Sequence, residues 1–304
     1  MPSPIRIVIV VNPGSGIAAG SGTDPVLMHA FGGSGFAATF VELSPDLDLR
    51  GELTRLIAEG ATVVAAAGGD GTVNAVADAV IGHDVTFAVV PQGTLNHFAR
   101  DVGIPLDVSK AAAVILSGHT MDVDVGTVNG RTFLNNSSVG LYPLIVRLRE
   151  EHAARGARKW AVALWATMRV IRETAPLRVQ LTIDGVDVTR STPLVLIGNN
   201  EYKMSGIDAA SRTSLQDGML ALYLVKTSGP WKLLRLVWRI VTGSARESGE
   251  LAMVAAAAAT IDVPDDPTIV ELEVALDGEV TTMPLPLHYE IRKRALRVLA
   301  PTTS

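Results

Sequence analysis

The sequence predicts an α/β N-terminal domain built on a doubly wound, Rossmann-like parallel sheet, followed by a β-rich antiparallel sandwich. Three observations carry this expectation. Short continuous apolar runs such as Val63-Val64-Ala65-Ala66-Ala67 alternate with helix-spaced segments in the first part of the chain, as strands buried on both faces alternate with crossover helices. Each run ends in a turn rich in glycine or proline. Beyond Val123 the alternation gives way to hairpin signals with few helices between them.

Taken in order, residues 5–11 read as a buried strand that stops at Asn12-Pro13-Gly14-Ser15-Gly16. A helix is expected within 25–35, a strand over 37–42 and a helix over 49–59. Residues 63–80 hold a strand, the turn Gly68-Gly69-Asp70-Gly71-Thr72, and a helix that begins by Asn74. Glycines let the backbone turn sharply and keep side chains away from a ligand, while the helix N-terminus offers free N–H groups; the pattern reads as a phosphate site or as a tight strand-to-helix turn. Asp70 fits there if a cation bridges it to phosphate, or if it orders the loop by accepting N–H groups. The layout repeats at 85–101, where a strand runs into Pro91-Gln92-Gly93-Thr94-Leu95-Asn96 and a helix follows. All three loops leave the carboxyl ends of strands, where open α/β sheets bind ligands. Gly14-Ser15-Gly16-Ile17-Ala18-Ala19 also satisfies a loose dinucleotide pattern, with Glu42 as a ribose ligand, but Pro13 and the long spacing count against it.

A helix over 108–116 closes this part. Residues 123–134 read as two strands about Asn129-Gly130, the strongest short hairpin signal. Further strands are expected over 177–183, 193–198, 219–225, 254–263, 269–276 and 288–292. The domains are therefore placed at 1–124 and 125–292.

Composition sets bounds on function. There are 304 residues, 48% hydrophobic and 19% charged, with no cysteine, which excludes disulfides and thiol catalysis. The six histidines lack paired metal-ligand spacing, so no zinc site is indicated. The first apolar run, interrupted by Arg6, is a strand rather than a signal peptide, and the alanine-rich stretch 251–263 is too short to span a bilayer. A net charge of -5 disfavours nucleic-acid binding, but the charge is uneven. Residues 147–172 carry seven bases and two acids, and residues 226–246 carry five bases and no acid. Helical spacing puts Arg158, Trp165, Arg169 and Arg172 on one side of the first segment. In the second, which runs from Trp231 to Val241, Lys232, Arg235 and Arg239 oppose Trp231, Leu234, Val237, Trp238 and Val241. Bases beside tryptophan suit anionic phospholipid headgroups, and equally suit helices packed on the second domain with their bases in water.

The motifs Asn12-Pro13-Gly14-Ser15-Gly16, Gly68-Gly69-Asp70-Gly71-Thr72-Val73-Asn74 and Pro91-Gln92-Gly93-Thr94-Leu95-Asn96 with Ala99-Arg100, in this order, resemble the diacylglycerol kinase catalytic-domain family, in particular its soluble bacterial lipid kinases. The resemblance continues through Asp124-Val125-Gly126, Phe133-Leu134-Asn135, Gln216-Asp217-Gly218-Met219-Leu220 and Asp277-Gly278-Glu279, and so covers nearly the whole chain. It implies a nucleotide-binding α/β domain and a β-rich lipid-substrate domain, with residues 293–304 returning to the first and the active site in the cleft between them. It implies ATP-dependent, Mg2+-assisted phosphorylation of a lipid hydroxyl, on diacylglycerol or a relative.

In that picture Asn12, Pro13, Ser15, Gly16, Gly68, Gly69, Asp70, Gly71, Thr72, Asn74, Gly93, Thr94 and Asn96 hold the nucleotide. Asp70 and Asp124 serve the magnesium and its phosphates, and Glu279 is the general base, although without the family Asp277-Gly278-Glu279 is simply a hairpin turn. Asp217, helped by the carbonyl of Leu215, matches a structural magnesium ligand, against the plainer reading of an unliganded turn aspartate. His97 stands where many relatives carry aspartate, and residues 199–206 are less glycine-rich than the lipid-facing region of relatives. The expected setting is the cytoplasm with reversible association at the membrane inner face, and a homodimer is left open. Two rivals stay open: an NAD-kinase-like enzyme with a soluble acceptor, and a non-catalytic nucleotide- or lipid-binding regulator.

Overall fold

The computed structural model describes residues 5–13, 25–32, 36–140, 176–203, 211–226, 232, 235, 251–264 and 266–302. The chain divides into two compact units, Met1–Val125 with Lys293–Ser304, and Gly126–Arg292.

In the first unit, strand β1 (Ile5–Val11), helix α1 (Pro25–Phe31), β2 (Phe36–Glu42), α2 (Leu49–Ala58), β3 (Val63–Gly68), α3 (Asp70–Val80), β4 (Thr86–Pro91), α4 (His97–Val102) and α5 (Val108–Ser117) follow one another. The strands form a parallel sheet in the order β2-β1-β3-β4. All six residues of β3 are buried, as are Ile7 to Val11 of β1, which is why these strands show no polar alternation. The helices start on side-chain caps where the sequence offers them. Asp48 accepts the N–H of Gly51 at the start of α2, and Asp107 accepts that of Lys110 at the start of α5, satisfying donors that the first helical turn leaves over. Helix α2 buries Leu53 and Leu56 and turns Arg55 outward between Glu52 and Glu59.

The chain enters the second unit along β5 (His119–Val128). Asn129 and Gly130, at φ 45° and 80°, make the tight turn into β6 (Arg131–Phe133), as the Asn-Gly pair predicts. Then come β7 (Asn136–Gly140), β8 (Leu177–Ile183), β9 (Val186–Thr192), β10 (Leu194–Asn199), β11 (Leu220–Val225), β12 (Leu251–Ala256), β13 (Ala258–Asp262), β14 (Glu271–Leu276), β15 (Glu279–Pro284) and β16 (Leu287–Ala300). One antiparallel sheet runs β12-β11-β10-β7-β14-β15. Facing it, the first part of β16 pairs with β13, β13 with β8, and β8 with β9, all antiparallel. Their inner faces share a core that includes Val139, Val195, Ile197, Leu222 and Val274 from one sheet and Val179, Leu181, Ile261 and Tyr289 from the other. At its centre the Tyr289 hydroxyl meets Ser137 Oγ at 3.0 Å, so a buried polar pair is satisfied within the apolar layer. The last part of β16 belongs to the first unit, where Val298 pairs with Phe87 of β4.

The fold class is therefore the expected one, an α/β unit with a parallel sheet and an antiparallel sandwich, but several elements differ in detail. The single strand expected over 254–263 is two strands, β12 and β13, in different sheets. The chain turns the corner at Ala257, whose N–H, with that of Ala258, is taken by Asp184 Oδ1 at 3.0 and 3.1 Å. A run of alanines carries no periodicity that would reveal such a corner. Strands β7, β9 and β15 go beyond the sequence reading, and β16 continues well past the expected end at residue 292.

Candidate functional site

The carboxyl ends of β1, β3 and β4 bring three loops of the first unit together. A Cβ on Gly93 would lie 2.6 Å from the Cα of Gly69, and a Cβ on Gly68 would lie 2.6 Å from the Cβ of Thr72. Only hydrogen fits at these contacts, so Gly93 permits the close approach of two loops and Gly68 the tight turn into α3. Hydrogen bonds then fasten them. The N–H of Gln92 donates to the carbonyl of Gly68 at 2.9 Å, the backbone N–H of His97 donates to Asp70 Oδ1 at 2.8 Å, and Asn12 Nδ2 donates to Thr72 Oγ1 at 3.3 Å. Asn96, at φ 50°, closes a small ring with Gly93, accepting its N–H on Oδ1 at 3.0 Å and donating Nδ2 to its carbonyl at 2.7 Å. Asparagine tolerates this left-handed conformation better than most residues.

The consequence is a sheet end at which the glycine loops and the start of α3 are held together around one carboxylate, Asp70. Helix α3 follows Gly69, which supplies no side-chain cap, so its first-turn donors suit an anion. Asn12, Gly68, Gly69, Asp70, Gly71, Thr72, Asn74, Gly93, Thr94 and Asn96 all lie on these loops or on the first turns after them. Pro13 is exposed beside Asn12; Ser15 and Gly16 lie outside the described residues. Asp124 is elsewhere in the same unit, on β5, 1% exposed, with Oδ1 accepting the N–H of Arg294 at 2.8 Å. Gly93→Ala is expected to force the two loops apart, because the opposing atom is backbone and cannot rotate away. A loss of about 1–3 kcal/mol in stability, read by thermal unfolding, together with weaker binding of a triphosphate nucleotide, checks this.

In the second unit the motifs gather at one end of the β12-β11-β10-β7-β14-β15 sheet. Asn136 pairs with Gly198, Asn199 with Leu220, and Leu276 with both Ser137 and Glu279. This register sets Leu134-Asn135, Asn199-Asn200, Met219 and Asp277-Gly278-Glu279 side by side. Asp277 accepts the N–H of Leu134 on Oδ2 at 2.7 Å, and those of Asn135 and Asn136 on Oδ1 at 2.8 and 2.9 Å. Burial raises its carboxyl from the ordinary value to about 6, against the opposing pull of the three N–H donors and the Arg212 guanidinium, because desolvation disfavours the charged form. Arg212, 5% exposed, donates to the carbonyl of Leu134 at 2.6 Å. The Tyr202 hydroxyl donates to the carbonyl of Asn135 at 3.0 Å. Glu279 and Asp217 are exposed and Leu215 is buried. Arg212 had no sequence signal at all, since nothing local marks a loop arginine for burial.

Among the described residues no three His, Cys, Asp or Glu side chains group as a metal site. The basic segment 158–172 lies outside the described residues, as does 231–241 except for Lys232 and Arg235, which are exposed. No helix of the described residues is long and apolar enough to cross a membrane.

A parallel α/β unit with a glycine-rich sheet end, followed in the chain by an antiparallel sandwich, offers a place for a phosphate-bearing ligand at the carboxyl ends of its strands. Comparison with known proteins is specific. The family described as "Diacylglycerol kinase catalytic domain" matches residues 6–128, and that described as "YegS C-terminal NAD kinase beta sandwich-like domain" matches residues 147–300. The chain belongs to the diacylglycerol kinase catalytic-domain family. A protein named "Diacylglycerol kinase" from Mycobacterium tuberculosis (strain ATCC 25618 / H37Rv) is 28% identical over 265 residues, covering 84% of this chain and 82% of that one. One of the same name from Bacillus subtilis (strain 168) is 27% identical over 242 residues, covering 79% and 78%. The crystal structure of a diacylglycerol kinase from Bacillus anthracis str. Sterne shares the fold, with a TM-score of 0.71 over 98% of both chains at 24% identity.

Proposed function

We propose that this protein transfers the γ-phosphate of ATP to a hydroxyl of diacylglycerol or a related lipid, working at the inner face of the membrane. The observation that carries the reading is the clasp between Gly69 and Gly93, locked by the bond from His97 N–H to Asp70. It holds the two glycine loops together beside the start of α3, which has no side-chain cap, an arrangement that suits a triphosphate. The nucleotide is assigned to residues 1–124 and the lipid to residues 125–292, with 293–304 completing the nucleotide unit.

The residues fit the nucleotide and its cation. Asp70 Oδ1 is taken by His97, and Oδ2 has no hydrogen bond among the described residues, so one oxygen remains for Mg2+ beside the phosphate loop. Bound there, Mg2+ neutralises phosphate charge. Asp124 is proposed to support that charge balance. Asp217 and the Leu215 carbonyl are the residues that would hold a structural Mg2+, since a carboxylate and a carbonyl are the oxygen donors it prefers. Glu279 is the proposed base: its carboxylate takes the proton of the acceptor hydroxyl, whose oxygen forms a bond to the γ-phosphorus. The bond to the bridging oxygen breaks, and ADP departs with that electron pair.

Incubating the pure protein with labelled ATP, magnesium and a panel of lipids, with NAD as a soluble alternative, tests the proposal. Label must enter a lipid; label entering NAD alone, or no transfer at all, overturns it. Membrane contact through the basic segments is a separate proposal, supported by the exposure of Lys232 and Arg235. Replacing Lys232, Arg235 and Arg239 together by glutamine is expected to weaken binding to anionic vesicles by roughly 1 kcal/mol per charge. Equal sedimentation with vesicles would instead mean that these bases do not meet the membrane.

A further inference from the structure

We infer that Asp277 is a positioning residue: by taking three consecutive backbone N–H groups it fixes the turn that presents Glu279, and through Glu279 it sets the rate of transfer. The inference rests on the proposed role of Glu279 as the base.

The turn geometry alone is common in this sandwich. Asp277 and Gly278, at φ 48° and 92°, are the paired left-handed residues of a two-residue hairpin. Among its described residues the same unit holds two more such pairs, Asn129-Gly130 and Asp184-Gly185, and both also anchor a neighbouring strand. Asn129 Oδ1 accepts the N–H of His288 at 2.8 Å, and Asp184 Oδ1 accepts those of Ala257 and Ala258. An anchored Asx-Gly turn is thus an ordinary structural device here.

Asp277 differs from these in the number of its bonds and in its nearness to Glu279. Both carboxylate oxygens are used, on three successive donors at 2.7 to 2.9 Å. Successive N–H groups facing one point form a concave anion site, here filled by the chain's own carboxylate. In return the N–H of Asp277 donates to the carbonyl of Asn136 at 2.9 Å, so the turn is held to the start of β7 from both sides. Two residues on, Glu279 opens β15 opposite Leu276 with an exposed side chain. Its backbone position is therefore fixed by the turn, not by packing of the side chain. A base must lie within hydrogen-bond reach of the proton it takes, and a shift of about 1 Å costs up to about a hundredfold in rate.

The test uses the full chain with Mg-ATP and dioctanoylglycerol in vesicles of phosphatidylcholine and phosphatidylglycerol. Asp277→Asn keeps the shape and the left-handed preference but sets an amide N–H against a backbone donor. It is expected to lower kcat about 10- to 100-fold, with the KM for ATP within about twofold of wild type. Asp184→Asn, the matched change in the other of the two aspartate turns, should lower the unfolding temperature and leave kcat alone. In a Glu279→Gln background, Asp277→Asn should remove nothing further, because a residue that acts only through Glu279 has no rate left to remove. Should Asp277→Asn fail to fold, Gly278→Ala, which meets no atom within 4 Å but strains the turn at φ 92°, should lower kcat with the same non-additivity. Wild-type kcat in folded Asp277→Asn, losses that multiply in the double variant, or an equal kcat loss in Asp184→Asn would overturn the inference. Wild-type kcat in Glu279→Gln alone overturns the base assignment as well, so the two failures are told apart.

Discussion

Asp70→Ala is expected to abolish phosphoryl transfer, a loss of about three orders of magnitude or more in kcat/KM, and to weaken Mg-ATP binding. Two physical effects combine. The carboxylate oxygen that accepts His97 N–H disappears, which leaves a half-buried donor unsatisfied at a cost of about 1–3 kcal/mol and frees the loop before α4 from the start of α3. The negative charge beside the proposed magnesium position also goes. Asp70→Asn separates the two, since the amide oxygen can still accept the N–H while the charge is lost. If charge is what matters, Asn should be nearly as inactive as Ala yet unfold at close to the wild-type temperature. Isothermal titration with Mg-ATP and labelled-phosphate transfer check both variants, and wild-type turnover in Asp70→Ala would remove this residue from the site.

Glu279→Gln should lower kcat by about 10² to 10⁴-fold while nucleotide binding survives. Glutamine fills the same volume and can accept a hydrogen bond, but it cannot take a proton. Because Glu279 is exposed at the start of β15, little stability is at risk, so a fall in rate without a fall in unfolding temperature is the expected pair of results. Single-turnover measurements at saturating ATP separate this from a binding defect. An unchanged rate would take Glu279 out of the mechanism.

Much of the first unit was legible because its signals are local. β3 announces itself as an unbroken apolar run, β1 as one interrupted only by Arg6, and the β5–β6 hairpin that follows this unit by Asn129-Gly130. The sandwich was less legible. β9, Val186–Thr192, is an exposed strand rich in polar side chains, and β7 contributes Asn136, Ser137 and Ser138. Neither has the apolar alternation that identifies a strand, because burial of Ser137 and Ser138 depends on partners far along the chain. Asp184-Gly185 did carry the same hairpin chemistry as Asn129-Gly130, and read on that basis it would have revealed β9.

The candidate site divides in the same way. The sequence by itself determined which residues stand at the carboxyl ends of the parallel strands, since strand, glycine turn and helix succeed one another within a few residues and local propensity decides all three. It also sufficed to place the chain in its family, through motifs in a fixed order. Only the tertiary structure decided that Gly69 meets Gly93 and that Asp70 binds the N–H of His97. It alone made Asp277 an anchor: its carboxylate reaches Leu134, 143 residues earlier in the chain, and only the antiparallel register of β14 on β7 brings the two together. Contacts of that span are set by how sheets pair and by which buried donors must be satisfied, conditions that no local stretch of sequence contains.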